Sequence, residues 1–316
     1  MTKLSRFLNH LRRRTLMDRM LLEWRNRRKQ KRADWWETQI GSREYFDVKI
    51  ERGVRIRLHF DSELARLIYV DDFERTEREF LKAYLRPGDI FVDVGANIGL
   101  FSLIAAPLVG PSGKVIAFEP TGRTYKRLLN NMRLNAFNNL STFRLALSGH
   151  NGQQPFFASK DGFDAWNSFA QPVAGHSFEH EEVQCETWDR FALKHDLLGN
   201  VTMMKLDVEG WETHVLAGGK NALSREDAPV LQVEFTDAFA AAAGTSCREL
   251  YQVLEDLGYR MFVYDPWKRQ LLDDPIRESY PYVNLIASKN LENTNIRLRE
   301  SVSLQRIFKN LLPGKE

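Results

Sequence analysis

The chain is organised around one segment, Asp89-Ile-Phe-Val-Asp-Val-Gly-Ala-Asn-Ile-Gly-Leu-Phe-Ser102, and its continuation, Lys114-Val-Ile-Ala-Phe-Glu-Pro120. The apolar run that begins the segment predicts a buried strand, and the glycine turn after it leads into a predicted helix. A second apolar run ends at Glu119. The 24 residues from Gly95 to Glu119 are about what one βαβ unit needs to bring an acidic side chain beside the first turn.

These parts predict a site for an adenosine-like nucleoside. Gly95 and Gly99 have no Cβ, so their backbone N–H groups can approach a ligand, and the following helix points its positive end at the same place. Glu119 can accept both hydroxyls of a ribose, and each such charge-assisted hydrogen bond is worth about 1.5 to 3 kcal/mol. A turn that only reverses the chain is the structural alternative.

Two nucleoside cofactors fit this description, and the turn favours one of them. A dinucleotide site needs Gly-x-Gly-x-x-Gly, whereas this turn has only two glycines in Gly95-Ala-Asn-Ile-Gly99. Asp93 would repel a diphosphate but can receive the ammonium group of a methionine moiety. The sequence therefore favours S-adenosylmethionine over a nicotinamide dinucleotide. The expected cofactor contacts are Asp93, Gly95, Ala96, Asn97, Gly99 and Glu119.

The next two units of the alternating pattern extend this site. Thr121 is a candidate cap for the helix after Glu119, and Ser141 to Leu147 is predicted to be one strand. The loop after that strand would then reach the same edge of the sheet, where adenine is expected. Ser148 is a candidate contact there, and an ordinary turn residue is the alternative.

The acceptor side is expected where the predicted strand Val201 to Leu206 ends in Asp207-Val-Glu-Gly210. An acceptor group that carries a proton needs a base to remove it as the bond to the methyl carbon forms, and carboxylates can do this. Asp207 is the first candidate for this base and Glu209 the second. Alternatively, Asp207 caps the next helix and Glu209 pairs with a cation.

Other residues near this strand end have smaller expected roles. Lys205 and Glu212 are expected to support the turn, and His214 is an alternative base that the helix position turns away from the site. Glu234 ends the next predicted strand and is a weaker acceptor-site candidate. Asp207 and Glu234 are also a carboxylate pair of the kind that hard cations use, although two carboxylates do not define a metal site and none is predicted.

Residues 151 to 180 interrupt the alternation of strands and helices. Long loops of this kind often contact substrates, and a tryptophan can stack on a sugar face. Trp166, Asn167 and Ser168 are therefore candidates for contacts with the acceptor. A loop that is only packed by its tryptophan is the alternative.

Three motifs stand in order at familiar spacings: Asp93-Val-Gly-Ala-Asn-Ile-Gly99, Ala117-Phe-Glu-Pro120 and Lys205-Leu-Asp-Val-Glu-Gly-Trp-Glu212. Together they resemble the FkbM family of S-adenosylmethionine-dependent methyltransferases, over about Glu74 to Ala287. The resemblance implies an α/β class I methyltransferase (Rossmann-like) fold: a seven-stranded, mostly parallel sheet with helices on both faces. It also implies methyl transfer to a hydroxyl, since most assigned members methylate sugars or polyketides.

The rest of the chain suggests attachments to this domain. An alternating pattern from Tyr45 to Phe60 predicts a hairpin with Arg52-Gly53 at its turn. The expected organisation is a basic amphipathic helical arm, a hairpin or cap, the methyltransferase domain and a C-terminal amphipathic helix, over residues 1–40, 41–73, 74–290 and 291–316.

Charge is concentrated in the arm. Residues 1–36 contain twelve Lys or Arg against three Asp or Glu, a net charge of +9 in a chain whose total is +3. A basic amphipathic helix can lie on an anionic membrane surface, contact nucleic acid, or pack on a partner chain or on its own domain. A homo-oligomer is one possible outcome, and a role for nucleic acid is not favoured.

Two cysteines without paired spacing, no signal peptide and no spanning segment predict a cytoplasmic protein, with peripheral membrane contact through the arm as an addition. The leading functional hypothesis is O-methylation of a saccharide, glycan or related small metabolite. RNA methylation, a nicotinamide-dependent oxidoreductase and a non-catalytic binding module are the alternatives.

Overall fold

The structure is a computed structural model that describes residues 20, 23–159, 169 and 178–300. These residues form two compact units. The first comprises the described parts of Met1–Phe46 together with Leu58–Phe73, and the second comprises Asp47–Arg57 together with the described parts of Glu74–Glu316. Among the described residues, we find no helix with the length and apolar character needed to cross a bilayer.

The first unit is built on helices α1 (23–39) and α2 (Glu63–Val70). The side-chain hydroxyl of Ser62 accepts a hydrogen bond from the backbone N–H of Ala65 at 3.2 Å and so caps α2. The core of this unit is an aromatic cluster whose ring centroids lie between 4.6 and 6.0 Å apart. Its members are Trp35, Trp36, Phe46, Phe60 and Tyr69. Residues 23–39 are helical, the basic arm over residues 1–40 stays a prediction, and residues 1–19, 21 and 22 lie outside the described part.

A two-stranded sheet connects α1 and α2 along the chain. Strands β1 (Tyr45–Lys49) and β2 (Arg55–His59) flank a single 3₁₀ turn at Glu51–Gly53. The hairpin and its turn are therefore confirmed. The prediction missed α2.

The second unit alternates strands and helices. In chain order its elements are α3 (Arg75–Tyr84), β3 (Ile90–Val94), α4 (Leu100–Val109), β4 (Lys114–Phe118), α5 (Gly122–Arg133), β5 (Leu140–Phe143), β6 (Ala146–Leu147), β7 (Gly152–Ser159), β8 (Phe178–Glu186), α6 (Trp188–Lys194), β9 (Met203–Leu206), α7 (Glu212–Gly218), α8 (Lys220–Leu223), β10 (Val230–Phe235), α9 (Asp237–Ala242), α10 (Cys247–Asp256), β11 (Arg260–Asp265), β12 (Gln270–Asp273), β13 (Val283–Ser288) and α11 (291–300).

Within the described residues, the main sheet has eight strands in the order β12-β11-β13-β10-β9-β3-β4-β5. Strands β5, β4, β3, β9 and β10 pair in parallel, and β13 runs antiparallel to both β10 and β11. Without β12 this is the predicted seven-stranded class I methyltransferase sheet. The eighth strand, β12, pairs antiparallel with the edge strand β11, and the sequence analysis missed it.

One predicted strand is wrong. Ser141 to Leu147 does not form a single strand, because the chain leaves the main sheet after Phe143 and re-enters regular structure in β6. β6 belongs to a separate three-stranded sheet of order β6-β8-β7. Arg144, at the break, forms an ion pair with Glu181 of β8.

The central strands are buried on both faces, as their continuous apolar runs require. Polar side chains interrupt these runs at adjacent positions. Asp93 on β3 is the register partner of Lys205 on β9, and Lys205 is in turn the partner of Gln232 on β10. Glu234 lies two residues further along β10 and therefore on the same face. This buried polar row leads to the carboxyl edge of the sheet.

Candidate active site

The first glycine turn is held by the strand beside it. The N–H groups of Gly95 and Ala96 both donate to the carbonyl of Phe118, at 3.1 and 2.9 Å. The N–H of Asn97 donates to Glu119 Oε2 at 3.1 Å. The N–H groups that the sequence offered to a ligand thus already have partners inside the protein. The turn is preorganised by β4 and Glu119.

Glu119 is buried, and its other carboxylate oxygen is also engaged. Oε1 accepts hydrogen bonds from the N–H of Thr121 at 3.1 Å and from the Thr121 hydroxyl at 2.6 Å. Thr121 occupies the N-cap position of α5 but makes no side-chain cap, so its predicted capping role is wrong. The Thr121 hydroxyl donates its hydrogen bond to Glu119 instead. Ribose binding by Glu119 stays a prediction.

Gly95 is required by a close approach of two backbones. Its φ is +81°, and a Cβ at this position would lie 1.8 Å from the carbonyl oxygen of Asp207. Any side chain here would therefore push apart the turn after β3 and the turn after β9. The glycine that the sequence assigns to the cofactor also allows the two halves of the site to meet.

Asp93 is fully buried at the end of β3. The Ser102 hydroxyl donates to its Oδ2 at 2.6 Å. Burial raises the pKa of Asp93, while the nearby charge of Lys205 and the bond from Ser102 act in the opposite direction. The predicted contact with an ammonium group would add a second cation to this carboxylate.

Ser148 lies deeper than the sequence suggested. It is completely buried, and its hydroxyl accepts a hydrogen bond from the Trp211 indole N–H at 3.1 Å. Trp211 in turn stacks on His214, with ring centroids 3.7 Å apart. Ser148 therefore fixes the position of Trp211, and its predicted adenine contact stays a prediction. Burial lowers the pKa of His214. His214 is thus packed outside the acidic group described below.

Lys205 lies at the centre of the acceptor side and is only 2% exposed. Its ammonium group forms an ion pair with Asp207, lies 3.6 Å from Glu74 Oε2 and lies 4.6 Å from the centre of the Phe101 ring. Burial alone would lower the pKa of Lys205, but the surrounding carboxylates raise it. Burial would likewise raise the pKa of Asp207, but the charge of Lys205 lowers it. Both groups are therefore charged.

The turn after β9 is held by Glu212. Its Oε1 accepts hydrogen bonds from the N–H groups of Val208 at 3.0 Å and Gly210 at 3.4 Å, which gives Glu212 the supporting role expected for it. Gly210 has a φ of +95°, and a Cβ there would lie 2.3 Å from the Phe239 carbonyl oxygen. Helix α7 begins at Glu212 without a side-chain cap, so the alternative in which Asp207 caps it is wrong.

Three carboxylates converge beside this turn. Asp207, Glu209 and Glu234 each offer an oxygen within 4.8 Å of the other two. Glu209 has a φ of +53°, a left-handed conformation that costs a non-glycine residue energy and is concentrated at functional sites. Burial and the neighbouring carboxylates raise the pKa values of Glu209 and Glu234. This arrangement places three carboxyl groups where the acceptor is expected, and the raised pKa values favour the protonated forms of Glu209 and Glu234.

The sequence analysis missed the residues that complete this group. Glu74 Oε1 accepts hydrogen bonds from the Tyr282 hydroxyl at 3.1 Å and from the Asn284 side-chain amide at 3.3 Å. Burial raises the pKa of Glu74 to about 7. These partners are more than 200 positions apart in the chain, and no local motif points to them. The candidates Trp166, Asn167 and Ser168 lie outside the described residues.

Comparisons with known proteins agree with this geometry. Residues 93–261, which contain both turns, match the methyltransferase FkbM domain. The chain is 32% identical over 184 residues to methyltransferase sdnD of Sordaria araneosa, covering 49% of this chain and 68% of that protein. It is 26% identical over 164 residues to 2-O-methyltransferase NoeI of Sinorhizobium fredii, covering 48% of this chain and 65% of that protein.

A shorter match is 45% identical over 64 residues to 31-O-demethyl-FK506 methyltransferase FkbM of Streptomyces tacrolimicus, covering 20% of this chain and 24% of that protein. The family match spans more than half of the present chain and includes the Gly95 turn, Glu119 and the Asp207 turn. The chain therefore belongs to the FkbM family and is an S-adenosylmethionine-dependent methyltransferase.

Proposed function

We propose that this protein transfers a methyl group to a hydroxyl of a saccharide, a glycan or a related small metabolite. The observation that carries this proposal is the charged carboxylate of Asp207, which Lys205 holds at the end of β9. The backbone of Asp207 approaches Gly95 of the cofactor turn so closely that a Cβ would clash. The names of two relatives, a 2-O-methyltransferase and a 31-O-demethyl-FK506 methyltransferase, support oxygen as the atom that is methylated.

The chemistry requires few groups. The acceptor oxygen must lie about 3 Å from the methyl carbon, opposite the sulfur, and must lose its proton as the new bond forms. Asp207 is the first candidate to accept that proton, and Glu209, which follows in the same turn, is the second. Glu234 is a further candidate for contact with the acceptor. In the cofactor half, Asp93 and Glu119 would bind the ammonium group and the ribose of S-adenosylmethionine.

A labelling experiment tests the reaction. The protein is incubated with S-adenosylmethionine that carries a deuterated methyl group and with separate pools of nucleotide sugars, oligosaccharides, polyketide alcohols and transfer or ribosomal RNA. Mass spectrometry then locates the label. We expect it on a hydroxyl oxygen of a compound in one of the first three pools. Label on nitrogen, on carbon or on RNA would contradict the proposal.

The variant Asp207→Asn links the reaction to the carboxylate. Loss of a positioned proton acceptor typically reduces the rate by about 100-fold or more, and we expect that loss here. Asp256→Asn is the matched control, because Asp256 is an exposed carboxylate on α10 that should not affect transfer. Equal rates for Asp207→Asn and the unchanged protein would remove Asp207 from the mechanism.

We also propose that the basic arm places the enzyme at an anionic membrane surface. Within the described part of the arm, the side chains of Met20 and Trp24 are 62% and 57% exposed, which suits contact with a lipid interface. Flotation with phosphatidylserine liposomes, with and without residues 1–36, tests this. Recovery should depend on the arm and fall with added salt, and equal recovery would discard the idea. Self-association remains a separate prediction, which sedimentation would check.

A further inference from the structure

Three carboxyl groups meet in the acidic group beside the second turn. Asp207, Glu209 and Glu234 have oxygens within 4.8 Å of one another, and the ammonium group of Lys205 is paired with Asp207 and near Glu74. Three carboxylates this close repel one another in a buried setting unless protons or a cation separate them. An acidic cluster alone does not define a cation site, so the neighbouring side chains are decisive.

Glu234 provides the independent observation. It is only 3% exposed. Its Oε1 accepts a hydrogen bond from the Thr236 hydroxyl at 2.7 Å. Its Oε2 is buried and accepts no hydrogen bond from a described N–H or O–H donor, and the Glu234 carboxyl group lies within hydrogen-bond reach of Asp207, which is itself an acceptor. A buried carboxylate oxygen left in this state costs free energy, and a missing ligand is one recognised explanation.

Two more buried oxygens flank Glu234 on the same face of the sheet. Asn284 on β13 is the direct register partner of Glu234, and its Oδ1 has no hydrogen-bond partner among the described residues. Gln232 lies two positions before Glu234 on β10, and its Oε1 is likewise without a partner in the described part of the chain. Carboxylate and amide oxygens are the ligands that hard divalent cations select.

We propose that Asp207, Glu209 and Glu234 bind one hard divalent cation of the Mg²⁺ or Mn²⁺ class at the carboxyl edge of the sheet. The three carboxylates supply its negative ligands. The amide oxygen of Asn284 adjoins Glu234 and is available to orient it or a bound water. Lys205 compensates part of the charge of Asp207, so the site binds the cation with moderate affinity.

This site deepens the proposed function. The cation rests on the contacts above, whereas its role toward an acceptor rests on the proposed O-methylation. A cation held by one oxygen of each carboxylate would polarise a bound acceptor hydroxyl and lower its pKa, and the second oxygen of Asp207 or Glu209 would take the proton. Acceptors that offer two neighbouring oxygens, such as a vicinal diol of a sugar, would fit such an ion best.

The test measures cation binding directly. The full chain is stripped with EDTA, dialysed, and titrated with Mn²⁺ while electron paramagnetic resonance reports the free ion. We expect one Mn²⁺ per chain, and we expect Glu234→Gln to bind at least about tenfold more weakly because it loses one charged ligand. Glu255→Gln, at an exposed position on α10, is the matched control and should bind as the unchanged protein does.

A melting experiment guards against misfolding. Circular dichroism should show the same fold for all three proteins, and Mn²⁺ should raise the melting temperature of the unchanged protein and of Glu255→Gln but not of Glu234→Gln. Absence of Mn²⁺ binding by the unchanged protein would overturn the proposal in favour of protons shared among the carboxylates. Equal binding by Glu234→Gln would also overturn it. No methyl transfer is measured, so failure here is distinguishable from failure of the proposed function.

Discussion

The two turns that form the site follow neighbouring parallel strands, β3 and β9, but their chemistry differs. In the turn at Gly95–Gly99, each backbone N–H donates to a group inside the protein. The turn at Asp207–Gly210 instead gathers carboxylates around one lysine, and a buried oxygen of Glu234 beside it receives no hydrogen bond from the described residues. The backbone donors of the first turn all have partners, whereas a buried carboxylate oxygen beside the second turn accepts no hydrogen bond from the described residues.

This difference follows from the two tasks of a methyltransferase. A cofactor of fixed structure is best bound by a preorganised cradle, because little free energy is then spent on ordering the protein. The acceptor side must hold charge that can take a proton or a cation during the reaction. The left-handed backbone of Glu209 and the crowding of the carboxylates provide such groups, and both lower the free energy of unfolding.

The largest effect should come from a side chain that forces the two turns apart. Gly95→Ala adds a Cβ that would lie 1.8 Å from the carbonyl oxygen of Asp207, so one turn must move. We expect a loss of more than about 4 kcal/mol in the free energy of unfolding, measured by urea denaturation. Gly244→Ala is the control, because Gly244 has a similar φ of +77° but no atom within 4 Å of the added Cβ. It should lose only about 1 kcal/mol. Equal losses would show that the turns do not constrain each other.

A smaller but still large effect should come from removing the lysine of the acidic turn. Lys205→Met leaves Asp207 and Glu74 buried without their cation, and breaking a buried ion pair from one side costs about 3 to 5 kcal/mol. Lys289→Met, at a partly exposed lysine whose ammonium group donates to the Arg225 carbonyl at 2.9 Å, should cost less than about 1 kcal/mol. Adding Asp207→Asn to Lys205→Met should restore part of the lost free energy of unfolding, because it removes the unpaired buried charge. A Lys205→Met protein as stable as the control would contradict the central position given to this lysine.

The smallest effect should come from the support of the second turn. Glu212→Ala removes the acceptor for the N–H groups of Val208 and Gly210, and leaving such groups unpaired costs about 1 to 2 kcal/mol. Glu255→Ala on α10 provides an exposed control. Hydrogen exchange of the Val208 and Gly210 amides should become faster in Glu212→Ala and stay unchanged in the control. Unchanged exchange in Glu212→Ala would assign the stability of this turn to other contacts.

The sequence predicted the first turn better than the second, and the reason is physical. Gly95 and Glu119 belong to one βαβ unit, so their proximity follows from local spacing. Glu74 meets Tyr282 and Asn284 through the three-dimensional arrangement of α3 and β13, which no local pattern encodes. The acidic motif itself was visible in the sequence, but the convergence of Asp207, Glu209 and Glu234 could be seen only in the packed side chains.

The same distinction explains the errors in the fold. The mostly parallel sheet follows from the apolar runs and from the family resemblance, and it is confirmed. The predicted strand at Ser141 to Leu147 is divided because Ala146 and Leu147 pair with β8, a distant segment of the chain, and so belong to the separate sheet. The edge strand β12 is short and partly exposed, so its residues have no strong apolar pattern. The domain boundaries at residues 40, 73 and 290 stay predictions.

The most direct test of this division of labour is calorimetric titration of S-adenosylmethionine into the unchanged protein, Glu119→Gln and Asp207→Asn. The account predicts that Glu119→Gln, which loses a charged acceptor for the ribose, binds the cofactor about tenfold or more weakly. Asp207→Asn should keep the cofactor affinity of the unchanged protein while losing methyl transfer. Unchanged affinity in Glu119→Gln, or an equal loss in both variants, would contradict the assignment of the two turns to cofactor and acceptor.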